Sequence, residues 1–188
     1  GHTAIRYFAM STSGASEAPQ TASVHLDRTP PTIQFTGNHS PYGVLETVDI
    51  RCTATDALSG VLLDTCRDLG GPAYLFDPAS NVIAATATDF AGNVGQNSTS
   101  FALHVTYDDV CVLTHQFIDS SRPMPPNAEF LGNSLCAKLA NAKAAEARGN
   151  TKAKRNILEA YVAQVEANSH VAFSSEQVII LTRLARAL

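Results

Sequence analysis

The composition of the chain changes abruptly near residue 107. Residues 1–106 contain no lysine, four arginines, nine acidic residues, fourteen threonines and nine serines, a composition that favours β-strands and their turns. Residues 107–188 contain three threonines and fourteen alanines, and alanine is the strongest helix former. The sequence therefore predicts a β region followed by an α region, with the boundary at Tyr107-Asp108-Asp109.

Charge and hydropathy narrow the classes of partner. The 188 residues carry a net charge of -4, and lysine and arginine are dispersed, so the chain lacks the concentrated basic surface that binds nucleic acid. No apolar run approaches the roughly 18 to 20 residues that a membrane-spanning helix needs. We therefore expect neither a nucleic-acid partner nor a membrane span.

Alternating apolar and polar residues mark strands in the first region. Such runs occupy 48–55, 82–88 and 100–106, and they are separated by turn-rich segments at 56–60, 68–72 and 89–93. Asp braces turns of this kind, and Gly or Asn accepts positive φ. Short strands with turns about every ten residues predict an antiparallel β-sandwich.

The N-terminus repeats the end of this β unit. Residues 5–9, Gly14 and 21–27 match 83–87, Gly92 and 100–106 at an offset of 78 to 79 residues. A period of this size is one small sandwich, so 1–28 is predicted to be the last two strands of a preceding copy, and Thr29-Pro30-Pro31 lies in a stiff linker. We expect 1–27 to form a hairpin outside the sandwich of 29–106, and its uncovered face and edge to meet missing upstream strands or a protein partner.

Four helices are predicted in the second region, 107–188. Apolar residues recur at helical spacing within four segments, which are Val110 to Ile118, Leu131 to Ala142, Ala153 to Val165 and Val178 to Leu188. Gly149 is suited to end the second helix, Asn150 to cap the third, and Ser174 with Gln177 to form a capping box on the fourth. Short connections favour an antiparallel four-helix bundle.

Four cysteines allow three disulfide connectivities. Pairing Cys52 with Cys66 and Cys111 with Cys136 keeps each crosslink within one region, and we predict these two bridges. They imply an oxidising compartment; four reduced, buried cysteines are the alternative. A metal site on cysteine and histidine is not expected, because there is no Cys-x-x-Cys pair and the six histidines are scattered.

Two segments resemble known modules. The Thr-Pro-Pro-Thr-Ile of 29–33, the Ser-Gly-Val of 59–61 and the Ala-Thr-Asp-Phe-Ala-Gly-Asn of 87–93 resemble bacterial Ig-like repeats of secreted multidomain proteins. The segments 135–139, 148–151, 161–166 and 175–177 resemble the FIMAH domain, a helical module at the C-terminus of many extracellular bacterial proteins. The resemblance implies a secreted, surface-associated protein in which any catalytic module lies upstream, and it assigns no functional residue to this chain.

Each candidate ligand site also has a simpler, purely structural interpretation. Asp56 and Asp89 follow predicted strands. Either the two carboxylates converge and bind Ca²⁺, or each Asp stabilises its own turn by hydrogen bonds. A basic group around the second inter-helical turn is a candidate for binding anionic cell-wall or extracellular polysaccharide, with a solvated helix face as the alternative; it comprises Lys138, Lys143, Arg148, Lys152, Lys154 and Arg155. Tyr42, Tyr74 and Phe76 form either a modest sugar platform or part of the core or its rim.

These observations predict a noncatalytic accessory region rather than an enzyme. The chain has no serine nucleophile elbow, zinc-protease histidine motif or phosphate-binding glycine loop. We expect a C-terminal spacer and surface-display or attachment module of a secreted bacterial protein. The alternatives are a carbohydrate-binding accessory of an extracellular hydrolase and a subunit of an extracellular assembly completed by strand addition.

Overall fold

The computed structural model describes all 188 residues, and every strand precedes every α-helix. The strands are β1 (His2–Tyr7), β2 (Gln20–His25), β3 (Thr32–Thr36), β4 (Tyr42–Gly43), β5 (Thr47–Thr55), β6 (Val61–Asp64), β7 (Leu69–Pro72), β8 (Asn81–Asp89), β9 (Val94–Phe101) and β10 (Leu103–His104). A short 3-10 helix covers Ala73–Leu75, and the α-helices are α1 (Tyr107–Ser120), α2 (Ala128–Ala147), α3 (Thr151–Ala167) and α4 (Ser175–Ala187). The predicted order of a β region followed by four helices is confirmed.

The N-terminal hairpin is a two-stranded sheet of its own. β1 and β2 pair antiparallel from His2 opposite His25 to Tyr7 opposite Gln20. Both strands are exposed along almost their whole length. The predicted two-stranded hairpin is confirmed, with each strand beginning and ending slightly earlier than the alternation indicated. Its place outside the predicted sandwich stays a prediction.

The chain divides into two compact units, and the first comprises residues 1–36, 51–68 and 84–98. Within it, β3 pairs antiparallel with the second half of β5, and β6 pairs antiparallel with β8. Its apolar core is small and consists mainly of Ile33, Ala85 and Ala87, with the disulfide-bonded Cys52 and Cys66 packed against them. Phe35 and Val61 also pack against this core but are only partly buried, so the fully buried apolar area is small.

The second compact unit comprises residues 37–50, 69–83 and 99–188. Within it, the first half of β5 pairs antiparallel with β7, whereas β4 and β10 pair in parallel. The expectation of a purely antiparallel arrangement is therefore wrong at this pair. Buried side chains of the β segments include Tyr42, Val48 and Phe101.

The strand predicted over 100–106 is also interrupted. β9 ends at Phe101, because the Ala102 amide donates to the Ser40 hydroxyl at 3.1 Å rather than to a strand. Leu103 then pairs with Tyr42 in β10. Thr106 has left the sheet and caps α1, where its hydroxyl accepts from the Asp109 amide at 3.1 Å.

The four helices form a closed set of contacts in which α1 packs against α2 and α4, and α3 packs against α2 and α4. Their predicted ends are confirmed: Asn150 accepts from the Ala153 amide, Ser174 and Gln177 form a capping box, and Gly149 has φ +69°. The side chains that face inward are buried, and the largest of them are Leu113, Ile118, Leu135, Leu139, Tyr161, Leu181 and Leu184. No helix combines the length and apolarity of a membrane span.

The helices and the β segments of the second unit share specific contacts. The Arg183 guanidinium of α4 donates to the Tyr74 carbonyl at 2.7 Å, and the Tyr74 ring meets Phe117 of α1 edge to face at 5.5 Å between centroids. Residue 107 therefore marks a change of secondary structure inside one compact unit. The division into 1–28, 29–106 and 107–188 as domains stays a prediction.

Candidate functional site

Three carboxylates converge in the first compact unit. Asp27, Asp56 and Asp89 each place an oxygen within 4.8 Å of the others. Asp56 directly follows β5, Asp89 is the last residue of β8, and Asp27 lies in the linker after β2. The structure therefore brings together the two predicted calcium candidates and adds a third carboxylate from the linker.

Asp56 organises the turn that follows it. Its Oδ1 accepts from the backbone amides of Leu58, Ser59 and Gly60 at 3.1, 2.9 and 2.7 Å. Gly60 has φ +81°, a conformation that glycine adopts at little steric cost. The predicted Asx turn at Asp56 is confirmed.

Asp89 is fully buried, and its main hydrogen-bond partner is Asn93. Asn93 donates its backbone amide to Oδ1 at 2.8 Å and its side-chain amide to Oδ2 at 2.7 Å. Burial raises the pKa of Asp89, but the hydrogen bonds from Asn93 and from the Ala91 amide together hold this pKa below the ordinary value. The buried carboxylate is therefore charged at neutral pH.

Asp27 joins the linker to the two turns. Its Oδ2 accepts from the Ser59 hydroxyl at 2.6 Å and the Ser59 amide at 3.1 Å, and its Oδ1 accepts from the Thr29 amide at 2.9 Å. Its carbonyl also accepts from the Asn93 side chain at 3.4 Å. The Ser59 hydroxyl, followed by the Thr29 amide, lowers the pKa of Asp27.

The sequence reasoning did not single out Asp27. Its partners Ser59 and Asn93 are 32 and 66 positions away in the chain, so no local spacing relates them. The available signal was its position, directly between a predicted strand and a Thr-Pro-Pro linker, where a side chain that accepts hydrogen bonds can fix the direction of the backbone.

Chemically, the cluster offers oxygen donors of the kind that Ca²⁺ prefers. The same oxygens are already acceptors for backbone and side-chain donors within the unit, and these bonds alone account for three carboxyl groups in one place. Calcium at Asp56 and Asp89 stays a prediction, with Asp27 as the further donor.

Several of the predicted basic residues pair with carboxylates. Lys143 donates to Asp108 at 2.7 Å, Arg155 lies 3.9 Å from Glu159, and Lys154 contacts Glu146. The Glu146 carboxylate raises the pKa of Lys154.

The remaining basic candidates lie at helix ends or inward. Arg148 follows the last residue of α2, Lys152 is exposed in the first turn of α3, and Lys138 donates to Gln164 at 2.6 Å. The group is thus dispersed among acidic and amide partners. A role in polysaccharide binding stays a prediction.

The aromatic residues pack inward rather than forming an open platform. Tyr42 is fully buried, and both Tyr42 and Phe76 meet Phe101 edge to face at 5.4 and 5.3 Å between centroids. Tyr74 packs on Phe117. The core interpretation of these three residues is the one that the structure supports.

Both predicted disulfides are present, and no cysteine is free. Cys52–Cys66 lies in the first compact unit, where Asp68 and Asp64 accept from the Cys52 and Cys66 amides. Cys111–Cys136 joins α1 to α2 and lies beside His115. The scattered positions of the histidines in the sequence hid this proximity, although His115 lies four residues after Cys111, which is one helical turn.

Comparison of the chain with family models, curated proteins and solved structures returned no match.

Proposed function

We propose that this chain is a noncatalytic accessory region of a secreted bacterial protein and acts as a spacer that displays neighbouring modules at a fixed geometry. In this proposal the strands of 29–106 form an Ig-like sandwich, and 107–188 form an antiparallel, FIMAH-like four-helix bundle. The motif resemblances support it, as do the two disulfides, which suit an oxidising compartment.

The observation that carries the proposal is the hydrogen-bonded linker at Asp27. A spacer transmits a defined distance only if the joint between successive modules is held, because a free linker lets them reorient. Here the Asp27 carboxylate is fastened to Ser59, and the Asp27 carbonyl accepts from Asn93. Two turns that follow different strands thus hold the residue that leaves the hairpin.

The rest of the linker is stiff and closely packed. Pro30 and Pro31 fix their own φ angles. Behind them, Gly95 of β9 is so close that a Cβ at this position would lie 2.0 Å from the Pro31 carbonyl oxygen. The close packing of the Gly95 backbone against the Pro31 backbone is a second contact that holds the linker.

The hairpin has the features of an incomplete module. Large apolar side chains on and after β1 are exposed, including Ile5, Tyr7, Phe8 and Met10. Two strands alone are marginally stable in water. In our proposal the earlier strands of a preceding Ig-like repeat cover this surface, and Asp27 is the joint between that repeat and the next.

The joint can be tested by NMR relaxation of backbone amides in the intact chain. We expect the amides of β1 and β2 to tumble with the same correlation time as those of β3 and β5. Asp27→Ala removes the acceptor for Ser59 and Thr29, so it should give the hairpin amides additional nanosecond motion. Asp77→Ala is the matched control, because Asp77 accepts from the Ala79 amide within its own loop and its loss should leave the hairpin unchanged.

Two results would contradict the proposed joint. One is a hairpin that already moves independently in the unaltered chain, and the other is an Asp27→Ala variant as rigid as the control. The measurement is repeated with Ca²⁺ and with a chelator, since rigidity in both conditions is expected from hydrogen bonds alone. Rigidity in Ca²⁺ only would assign the joint to an ion instead.

A further inference from the structure

We propose that the Cys111–Cys136 pair, once reduced, forms a zinc site together with His115. Two cysteine sulfurs and one imidazole nitrogen lie within 4.8 Å of one another. Tetrahedral zinc binds thiolate at about 2.3 Å and imidazole at about 2.0 to 2.1 Å, which separates neighbouring donor atoms by roughly 3.5 to 3.8 Å. The three side chains therefore need only small rotations to surround one ion.

The helices already orient these donors. Cys111 and His115 occupy the same face of α1, one turn apart, and Cys136 faces them from α2 with 5.1 Å between the Cα atoms of the two cysteines. The site therefore has ligands from two packed helices, which fixes the direction from which each donor approaches.

Gly132 provides the space for the imidazole. It lies one turn before Cys136 on α2, and a Cβ at this position would be 2.4 Å from Cε1 and 2.6 Å from Nδ1 of His115. The ring is therefore seated against the backbone of α2. Because Gly132 has no side chain, the His115 ring can lie against α2 beside Cys136.

The donors are also accessible. Cys111, His115 and Cys136 are all half-buried rather than enclosed, so a reductant and then a metal ion can reach them. Three protein ligands leave the fourth tetrahedral position for water, as in zinc sites that keep an open coordination position.

The chemistry requires a change of redox state. A small dithiol donates two electrons to the disulfide and becomes a disulfide itself, while Cys111 and Cys136 become thiols with the addition of two protons. Zinc binds the thiolate forms, so the two thiol protons are released on binding. The crosslink and the metal are mutually exclusive, and either one ties α1 to α2.

The other disulfide provides an internal comparison. Cys52 and Cys66 do not belong to any such group of three donors. The assignment therefore makes a specific claim: after both bridges are reduced, the tight zinc site lies between the helices and not in the β region.

The test is a zinc titration of the full chain reduced by a phosphine under nitrogen, in competition with a chromogenic chelator. We expect one tightly bound Zn²⁺ per chain, and with Co²⁺ the visible absorption of a tetrahedral thiolate site. Cys111→Ser/Cys136→Ser should lose this site while Cys52 and Cys66 remain. His115→Gln should weaken zinc binding by at least about tenfold, since even the loss of a group that only orients a zinc ligand costs that much.

Three results would overturn the assignment: no tight zinc in the reduced chain, equal binding by the double serine variant, or equal binding by His115→Gln. Far-ultraviolet circular dichroism of each reduced sample checks the helices. If reduction lowers helicity, zinc is expected to restore it in the unaltered chain but not in the double serine variant. In that case, a reduced unaltered chain that zinc does not refold is a fourth result that contradicts the proposal.

Discussion

The two compact units achieve stability with different resources. The second unit buries large side chains completely, among them Leu113, Leu135, Leu139 and Leu184. The first relies on Ile33 and two alanines, with a disulfide packed against them. Burying a leucine side chain contributes about 1.5 to 3 kcal/mol, and an alanine far less.

What the first unit lacks in apolar volume it replaces with covalent and polar links. The Cys52–Cys66 bridge joins β5 to the loop that follows β6, and Asp27, Asp56 and Asp89 satisfy the amides of its turns. The stability of the second unit should therefore be most sensitive to the loss of buried side-chain volume, and that of the first unit to the loss of a crosslink or a charge.

The largest effect is expected from a cavity in the second unit. Leu135→Ala removes a fully buried side chain of α2, which should lower the free energy of unfolding by about 2 to 5 kcal/mol. Urea unfolding followed by far-ultraviolet circular dichroism measures this change.

Phe130→Ala is the control on the same helix, because Phe130 is 75% exposed. Its effect should stay within about 0.5 kcal/mol. Similar losses for the two variants would show that the helical unit does not depend on buried volume.

A smaller loss is expected from opening the bridge of the first unit. In the chain-entropy model, a loop of the size that Cys52–Cys66 closes contributes about 3 kcal/mol. Cys52→Ala/Cys66→Ala should therefore accelerate hydrogen exchange throughout β3, β6 and β8, while the helical amides stay protected.

The corresponding variant of the second unit, Cys111→Ala/Cys136→Ala, loses a comparable contribution to stability, but this unit has a much larger apolar core. Its helices should remain folded at room temperature and melt earlier. If Cys52→Ala/Cys66→Ala leaves β3 protected and Cys111→Ala/Cys136→Ala unfolds the helices, the second unit, not the first, is the one that depends on its disulfide.

The sequence predicted features that depend on neighbours along the chain. The helix caps at Asn150 and Ser174 were predictable because a capping side chain and the backbone amide that donates to it lie three residues apart. The disulfides followed from the division into two regions. The strand over 100–106 was predicted wrongly because Ser40 and Tyr42, some 60 residues away, redirect Ala102 and Leu103.

The candidate sites were less accessible to sequence reasoning for the same reason. Asp56 and Asp89 were singled out by their turn motifs. Asp27 and His115 acquire their roles only when separate segments meet, at Ser59 for the first and at Gly132 for the second. No periodicity or motif encodes a contact of this kind.

The smallest effect concerns pH and the charged joint of the first unit. Folding lowers the pKa of Asp27, through the Ser59 hydroxyl and the Thr29 amide. It also lowers the pKa of Asp89, where the hydrogen bonds from Asn93 and from the Ala91 amide together exceed the cost of burial. Both carboxyls therefore bind protons less readily in the folded chain than in the unfolded chain, whose ordinary value is 3.8.

This sign fixes the window in which stability changes. The contribution of both carboxylates is fully present above the unfolded pKa and is lost as the pH falls through the lower folded pKa. Hydrogen exchange and hairpin relaxation should therefore be unchanged at neutral pH and show loosening of the 56–60 and 89–93 turns below about pH 4. Ser59→Ala removes the strongest influence on Asp27, so its acid response should be weaker at the linker and unchanged at Asn93. An acid response confined to the helices, or one as large in Ser59→Ala as in the unaltered chain, would show that the carboxylates do not hold the joint.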